Sequence, residues 1–223
     1  RDVPVGRLLA ERLGLPVVLD NDVNALAAGE ALFGRGRRAA SFLVCTVGRG
    51  IGAGVVIDGR VHRGRNGGAG EIGHTLSEPG GRHCDCGRRG CLEAQASVPA
   101  LLARYREAGG PGRPVSAESL AALAAAGDPL ARDLISDAGR RVGLALAAAV
   151  NLLNPDLLIL AGEGLALGEG LVAGARDALA AGTFPGLGVN LPLVVDPWDD
   201  REWARGAASL AAARAWQALE ARA

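Results

Sequence analysis

Two periodicities of apolar residues divide the 223-residue chain into predicted strands and predicted helices. Short apolar runs bounded by Gly, Pro or Asp are typical of buried strands, and apolar residues that recur every three or four positions are typical of helices. The predicted strands are residues 16–20, 41–48, 155–162 and 191–196, together with a hairpin over 51–64. The predicted helices are residues 4–13, 21–34, 97–108, 116–126, 128–152, 168–182 and a terminal helix from about 202.

The order of these elements predicts an α/β fold in which helices cover both faces of a sheet. The Asp58-Gly59 pair predicts the tight turn of the hairpin. Residues 64–94 are dense in Gly, Cys, His and Arg and predict a long loop, whereas residues 112–119 predict a surface connector. The unusual residues of this sequence therefore fall on one loop between the hairpin and the helical block.

Charge and hydropathy exclude several classes of protein. The formal net charge is +0, which gives no sign of a surface for nucleic acid or another polyanion. No run of about twenty apolar residues predicts a membrane span. The first 14 residues, RDVPVGRLLAERLG, are charged and amphipathic and do not fit a secretory signal. We therefore expect a cytoplasmic protein with no membrane partner.

Two residue types are absent. The sequence has no Met, so we expect this chain to begin partway through a longer reading frame. All 24 basic residues are Arg, and the lack of Lys excludes a Walker A lysine, a pyridoxal Schiff base and a lysine general base.

The stretch HCDCGRRGCLE, residues 83–93, contains three of the four cysteines, spaced as Cys84-x-Cys86-x4-Cys91. A disulfide is disfavoured because cytosolic thiols stay reduced and three cysteines leave one without a partner. The spacing also lacks a Cys-x-x-Cys redox pair. Three soft thiolates on a Gly-containing loop favour Zn²⁺, which takes four N or S ligands in a tetrahedron.

The fourth ligand is sought among the remaining cysteine and the histidines. Cys45 lies inside a predicted strand, where core packing explains it. His83 adjoins Cys84 and would reach the same ion only with strain, whereas His74 begins the loop that the cysteines close. We therefore predict His74 as the fourth ligand and His62 as a surface residue after the hairpin turn.

Two motifs resemble the ROK family, which groups bacterial sugar kinases with sugar-responsive transcriptional repressors. They are GEIGHT at residues 70–75 and CDCGRRGCLE at residues 84–93. The likeness continues through LDNDVNA, GRGIGAGVVIDGRVHRG and NLLNPDLLILAGE. It implies an actin-like ATPase (ribonuclease H-like) fold, an α/β fold of two lobes with a cleft. This chain would hold mainly the C-terminal lobe, with part of the N-terminal lobe.

The resemblance also implies a division of the chain. Residues 1–38 would end the N-terminal lobe and begin the cleft, and residues 39–201 would form the C-terminal lobe that binds sugar and zinc. Residues 202–223 would form a terminal helix that packs back on the N-terminal lobe. A homodimer or tetramer is expected.

The same resemblance assigns roles to residues. A structural zinc would be held by His74, Cys84, Cys86 and Cys91, and sugar hydroxyls by Asn21, Asp22, Glu71, His74 and Glu93. In a kinase, Asp22 would be the catalytic base that takes the proton of the attacking sugar hydroxyl.

Simpler roles compete with these assignments. Asn21 and Asp22 are common helix caps, Glu71 on a Gly-rich loop is compatible with a plain surface residue, and Glu93 is placed to cap the helix that begins near residue 97. Gly52 and Gly54 are expected to serve hairpin geometry.

Departures from the kinase pattern favour the regulator branch. Family kinases carry a Gly-Thr-Gly phosphate turn before the hairpin, and this chain has a degenerate version, Gly48-Arg49-Gly50. The Gly-Gly pair expected after the NPDLLIL strand is Gly162-Glu163-Gly164 here, which puts a carboxylate near an anion site. The closing stretch PWDDREWARGAASL also resembles the repressors.

We therefore expect the sugar-sensing part of a transcriptional regulator that contacts DNA only through a helix-turn-helix outside this sequence. An ATP-dependent sugar kinase, using ATP and Mg²⁺, is the first alternative. A zinc-stabilised assembly module without a ligand is the second.

Overall fold

The computed structural model describes residues 3–196, 199 and 201–220. Its strands are β1 (Phe42–Val47), β2 (Ile51–Ile57), β3 (Arg60–Val61), β4 (Leu157–Ala161) and β5 (Leu193–Val195). Its helices are α1 (Val5–Leu13), α2 (Asp22–Leu32), α3 (Leu92–Ala96), α4 (Val98–Glu107), α5 (Ala117–Ala125), α6 (Pro129–Leu153), α7 (Glu169–Gly182) and α8 (Arg201–Glu220). Most predicted elements are confirmed to within a few residues.

The strands form one mixed sheet in the order β3-β2-β1-β4-β5. Strand β1 pairs antiparallel with β2 and parallel with β4, and β4 pairs parallel with β5. Side chains of β1 alternate between two cores: Leu43 and Cys45 pack with α6 and α7, whereas Phe42 and Val44 pack with α2. This alternation confirms that helices cover both faces of the sheet.

The β2–β3 hairpin turns where the sequence predicts it. Asp58 and Gly59 both have positive φ, 51° and 70°, which a two-residue turn of this kind requires. Helix α8 runs back across the molecule and packs against α2. Within the described residues, no helix is long and apolar enough to cross a membrane.

The strand predicted at residues 16–20 is wrong. The chain there has no strand partner among the described residues, and Val18 and Leu19 are 41% and 57% exposed. An apolar run forms a strand only when a neighbouring strand accepts its backbone hydrogen bonds.

Gly52 and Gly54, expected to serve hairpin geometry, have a further role in helix packing. Both lie on the face of β2 that meets α2. A Cβ on Gly54 would lie 2.6 Å from Ala27 Cβ and 2.7 Å from the Val23 carbonyl oxygen. The missing side chains let α2 approach the sheet, which brings its N-terminus beside the β1–β2 turn.

Candidate functional site

A cavity of about 230 Å³ lies at the tip of the β1–β2 hairpin. Its walls come from four parts of the chain: the N-terminus of α2, the hairpin tip at 46–52, the loop around Glu71 with Glu93 of α3, and residues 162–163 beside Trp203. Four of the five predicted sugar-binding residues, Asn21, Asp22, Glu71 and Glu93, therefore share one cavity although they are far apart in sequence.

Asn21 and Asp22 are held by the first turn of α2. The Asn21 Oδ1 accepts hydrogen bonds from the backbone N–H groups of Val23, at 2.8 Å, and Asn24, at 3.3 Å. The Asp22 Oδ1 also accepts from Val23 N–H, at 2.8 Å. Helix capping and a place in the cavity wall are thus compatible, because the cap fixes both side chains at the rim.

Glu71 reaches the cavity because two glycines let its loop lie against β2. Gly70 accepts a hydrogen bond from Ala53 N–H at 2.8 Å and has φ +89°. A Cβ on Gly73 would lie 1.9 Å from the Ile51 carbonyl oxygen, so only Gly fits at that position. This packing sets Glu71 beside the hairpin tip.

Glu93 is positioned by a backbone contact. Its Oε2 accepts a hydrogen bond from Ile51 N–H at 2.9 Å, across the cavity floor. The suggestion that Glu93 caps the helix near residue 97 is wrong, because Ser97 is the N-cap of α4 and its Oγ accepts from Ala100 N–H. Glu93 instead lies in α3, which begins directly after Cys91.

The structure brings the four predicted metal ligands together. One ligand atom from each of His74, Cys84, Cys86 and Cys91 lies within 4.8 Å of all the others. His74 Nδ1 is 3.5 Å from Cys84 Sγ, and Cys86 Sγ is 3.6 Å from Cys91 Sγ. Ligand atoms around a tetrahedral Zn²⁺ are about 3.7 Å apart, given Zn–S bonds of about 2.3 Å, so this donor set fits that ion.

The thiols of the cluster differ in acidity. Backbone and side-chain hydrogen bonds from Arg88 lower the pKa of exposed Cys86 to about 6. Burial raises the pKa of Cys91 to about 11, and burial in the core raises that of Cys45 to about 12. A thiolate at Cys86 with a cation beside it is an environment in which metal binding can begin.

His74 connects the cysteine cluster to the cavity. Its Nδ1 faces Cys84, while its Nε2 lies 3.9 Å from the Glu71 Oε2. His74 stands behind Glu71, so the sugar role predicted for it would be exerted through that carboxylate. His83 lies outside the cluster, with its Nε2 3.0 Å from Arg89 Nη1.

An ion-pair network that the sequence reading missed braces the cysteine loop from α6. Arg141 contacts Glu78 at 2.8 Å and Asp137 at 2.7 Å, and Arg104 of α4 contacts Asp137 at 2.9 Å. Burial acts to raise the pKa of Asp137, but hydrogen bonds from the three arginines Arg141, Arg140 and Arg104 outweigh it and lower the pKa to about 2.

The degenerate phosphate turn and Glu163 form the part of the cavity wall called the turn end below. The Glu163 Oε1 accepts a hydrogen bond from Arg49 N–H at 2.8 Å. A Cβ on Gly48 would lie 2.9 Å from Glu163 Cγ, so the carboxylate arm lies flat against the turn. Gly162, with φ +99°, fixes the approach because a Cβ there would lie 2.4 Å from the Val47 carbonyl oxygen.

Comparison with known proteins tests the resemblance. The ROK family model matches residues 1–214. The chain belongs to the ROK family. The DNA-binding transcriptional repressor Mlc of Escherichia coli is 36% identical over 167 residues, covering 72% of this chain and 41% of that protein. A glucokinase of Thermotoga maritima is 36% identical over 225 residues, covering 94% of this chain and 70% of that protein.

Solved structures give the same two kinds of relative. A ROK family transcriptional regulator, a homolog of E. coli Mlc, has a TM-score of 0.82 at 34% identity, covering 92% of this chain and 54% of that one. A Streptomyces griseus ROK glucokinase in complex with glucose and AMPPNP has a TM-score of 0.81 at 30% identity. The match covers 94% of this chain and 72% of that one. These likenesses confirm the actin-like ATPase fold, whereas repressors and kinases are matched equally well.

Sequence reasoning did not single out Thr46 or Trp203, which also line the cavity. Thr46 carried a usable signal, because it is the one hydroxyl in the otherwise apolar run of β1 and stands beside the turn. Trp203 reaches the cavity only because α8 folds back over α2, and nothing local in the sequence indicates that contact.

Proposed function

We propose that this chain is the sugar-sensing, effector-binding part of a ROK-type bacterial transcriptional regulator with a structural zinc. One observation favours a regulator over a kinase: the Glu163 carboxylate accepts a hydrogen bond from the Arg49 amide of the phosphate turn. A turn whose amide is already bonded to an anion of its own chain is poorly suited to bind nucleotide phosphate.

The sugar site would be the carboxylate and amide end of the cavity. Asn21, Asp22, Glu71 and Glu93 offer acceptors and donors of the kind that recognise vicinal hydroxyls. Three of them are held before a ligand arrives, Asn21 and Asp22 by the first turn of α2 and Glu93 by Ile51 N–H. Pre-positioned groups of this kind lose little entropy when a ligand binds.

The zinc would act behind the sugar site. Held by Cys84, Cys86, Cys91 and His74, it would fix the loop whose last cysteine leads directly into α3 and Glu93. It would also orient the imidazole of His74, whose other nitrogen faces Glu71. A zinc at this cluster thus supports the two carboxylates through the chain that carries them.

The regulatory step would be closure of the cleft around the bound sugar. A sugar bound against both the start of α2 and the Glu71–Glu93 wall favours the closed arrangement. We propose that a dimer passes this change to DNA through a helix-turn-helix outside the sequence.

An ATP-dependent sugar kinase remains the second candidate, and one observation favours it. Asp22 lies at the cavity rim, where it would act as base toward a sugar hydroxyl, with ATP and Mg²⁺ supplied.

The test is titration calorimetry of the full-length protein with glucose, xylose and N-acetylglucosamine, each with and without MgATP. The proposal expects binding of at least one sugar and no heat from MgATP. ATP binding with sugar-dependent turnover would establish the kinase instead. If no sugar binds and Glu93→Gln changes no measured response, the zinc-stabilised assembly module is the better reading. Elemental analysis is expected to give about one zinc per chain.

A further inference from the structure

The cavity carries an excess of negative charge. Among the described residues, its wall includes the carboxylates of Asp22, Glu71, Glu93 and Glu163, against the single guanidinium of Arg49. This excess matters for ligand choice, because a ligand that enters such a cavity must lose part of its own hydration next to the carboxylates.

The backbone of the turn has few free N–H donors for an anion. The amide N–H of Arg49 donates a hydrogen bond to the Glu163 carboxylate, and the amide N–H of Ile51 donates one to the Glu93 carboxylate. The amide of Gly48 donates to the Gly50 carbonyl within the turn. Three amide donors at this turn, those of Gly48, Arg49 and Ile51, are thus already bonded to oxygen atoms of the chain.

Glu163 is held in this position by its neighbours. The glycines on either side, Gly162 and Gly164, lie so close to the end of β1 that a Cβ on them would be 2.4 Å and 2.7 Å from the Val47 carbonyl oxygen. The segment is therefore pressed against the strand, and the Glu163 side chain projects over Gly48 toward Arg49.

We propose that Glu163 makes the site selective for an unphosphorylated sugar by occupying the place where a phosphate group would bind. The inference rests on the proposed sugar-sensing function and names the ligand class of that site. Glu163 rejects a phosphate ester in two ways: its oxygen holds the Arg49 amide, and its charge repels a second anion. The Arg49 guanidinium attracts anions to the same turn. The Glu163 carboxylate opposes this attraction, because it is bonded directly to the Arg49 amide.

The experiment measures the ratio of dissociation constants for a sugar and its 6-phosphate. Full-length protein is titrated with glucose, glucose 6-phosphate, N-acetylglucosamine and N-acetylglucosamine 6-phosphate, at low and at high NaCl. The variants are Glu163→Gln, which keeps the shape and an acceptor oxygen, and Glu163→Ala, which frees the Arg49 amide. Glu169→Gln is the matched control, because Glu169 is exposed at the start of α7.

We expect the wild type to bind free sugar at least about thirtyfold more tightly than its 6-phosphate at low salt. That ratio should fall about tenfold in Glu163→Gln, fall further in Glu163→Ala, and stay constant in Glu169→Gln. High salt should reduce the discrimination of the wild type because the charges are near solvent. Thermal melts of each variant establish that it is folded.

Two results overturn the inference. One is a wild type that binds a 6-phosphate as tightly as the free sugar or more tightly, and the other is an unchanged ratio in folded Glu163→Ala. Either leaves the sugar-sensing proposal standing. Absence of binding to every sugar and every phosphate ester contradicts the proposed function itself, and this inference with it.

Discussion

The two ends of the cavity differ in what holds them. At the metal end, Glu71 and Glu93 are set by a cluster of one histidine and three cysteines and by ion pairs from α6. At the turn end, the site consists of backbone amides, and one side chain, Glu163, changes what they can bind. The metal end matches the family motifs at each fixed position, whereas the turn end departs from the kinase pattern.

This difference shows how one scaffold can keep a ligand class and change its output. Several groups at the metal end would have to stay together, because loss of one ligand weakens the binding of a metal ion that the others share. The turn end is altered by single residues, since an amide already in place binds whichever anion reaches it. The metal end is thus the harder of the two to change.

The largest expected effect comes from breaking the metal end. Cys84→Ser should lower the zinc content from about one per chain to well below half, and the free energy of unfolding by about 3 kcal/mol or more, because the loop loses its cross-link. Elemental analysis and urea denaturation measure both quantities.

Cys45→Ala is the control for that variant, since Cys45 is buried in β1 and contributes to the core. It should retain its zinc and lose only about 1–2 kcal/mol of stability. Equal zinc content in Cys84→Ser and Cys45→Ala would contradict the metal assignment.

The next effect tests the link between the metal end and the ligand. Glu93→Gln keeps an acceptor for Ile51 N–H but removes the charge, so sugar affinity should fall about tenfold while zinc stays bound. Calorimetry gives the affinity and elemental analysis the zinc. Glu169→Gln should match the wild type, and a Glu93→Gln protein with wild-type affinity would remove Glu93 from the sugar site.

A smaller effect concerns the ion pairs behind the metal end. Since its partners lower the folded pKa of Asp137 to about 2 from a usual 3.8, this carboxylate stabilises the fold above about pH 4, and the contribution is lost as pH falls through 2. Asp137→Asn should therefore cost about 1–2 kcal/mol at pH 7 and progressively less below pH 4.

Denaturation at pH 7, 4 and 3 measures this difference. The matched control is Asp133→Asn, an exposed carboxylate on the same helix, which should show no such pH dependence. A cost for Asp137→Asn that stays constant down to pH 3 would be inconsistent with the ion-pair account.

The smallest expected effect tests which histidine is the fourth metal ligand. His83→Ala should leave zinc content and sugar affinity within about twofold of the wild type, because His83 contacts Arg89 outside the cluster. His74→Ala, in the same assays, should weaken zinc binding at least about tenfold. Loss of zinc in His83→Ala would reverse the assignment.

Local patterns predicted most of the fold because its helices and its central strands carry clear periods. Helix α6, which has an apolar stripe, and strand β4, which is bounded by Pro and Gly, were predicted from the residues alone. The strand at 16–20 was not, because pairing depends on a partner elsewhere. The packing of Gly54 against α2 was not predicted for a similar reason: no neighbouring residue indicates that contact.

The sequence by itself determined the family and the cluster of His74 and three cysteines, because both depend on residue types at short, fixed spacings. Tertiary structure decided the rest. Residues 22, 71, 93 and 163 share a cavity only after the sheet has formed, and their partners are backbone amides, which have no signature in the sequence. A carboxylate bonded to the phosphate turn is a fact of geometry, and a Glu between two glycines does not show it.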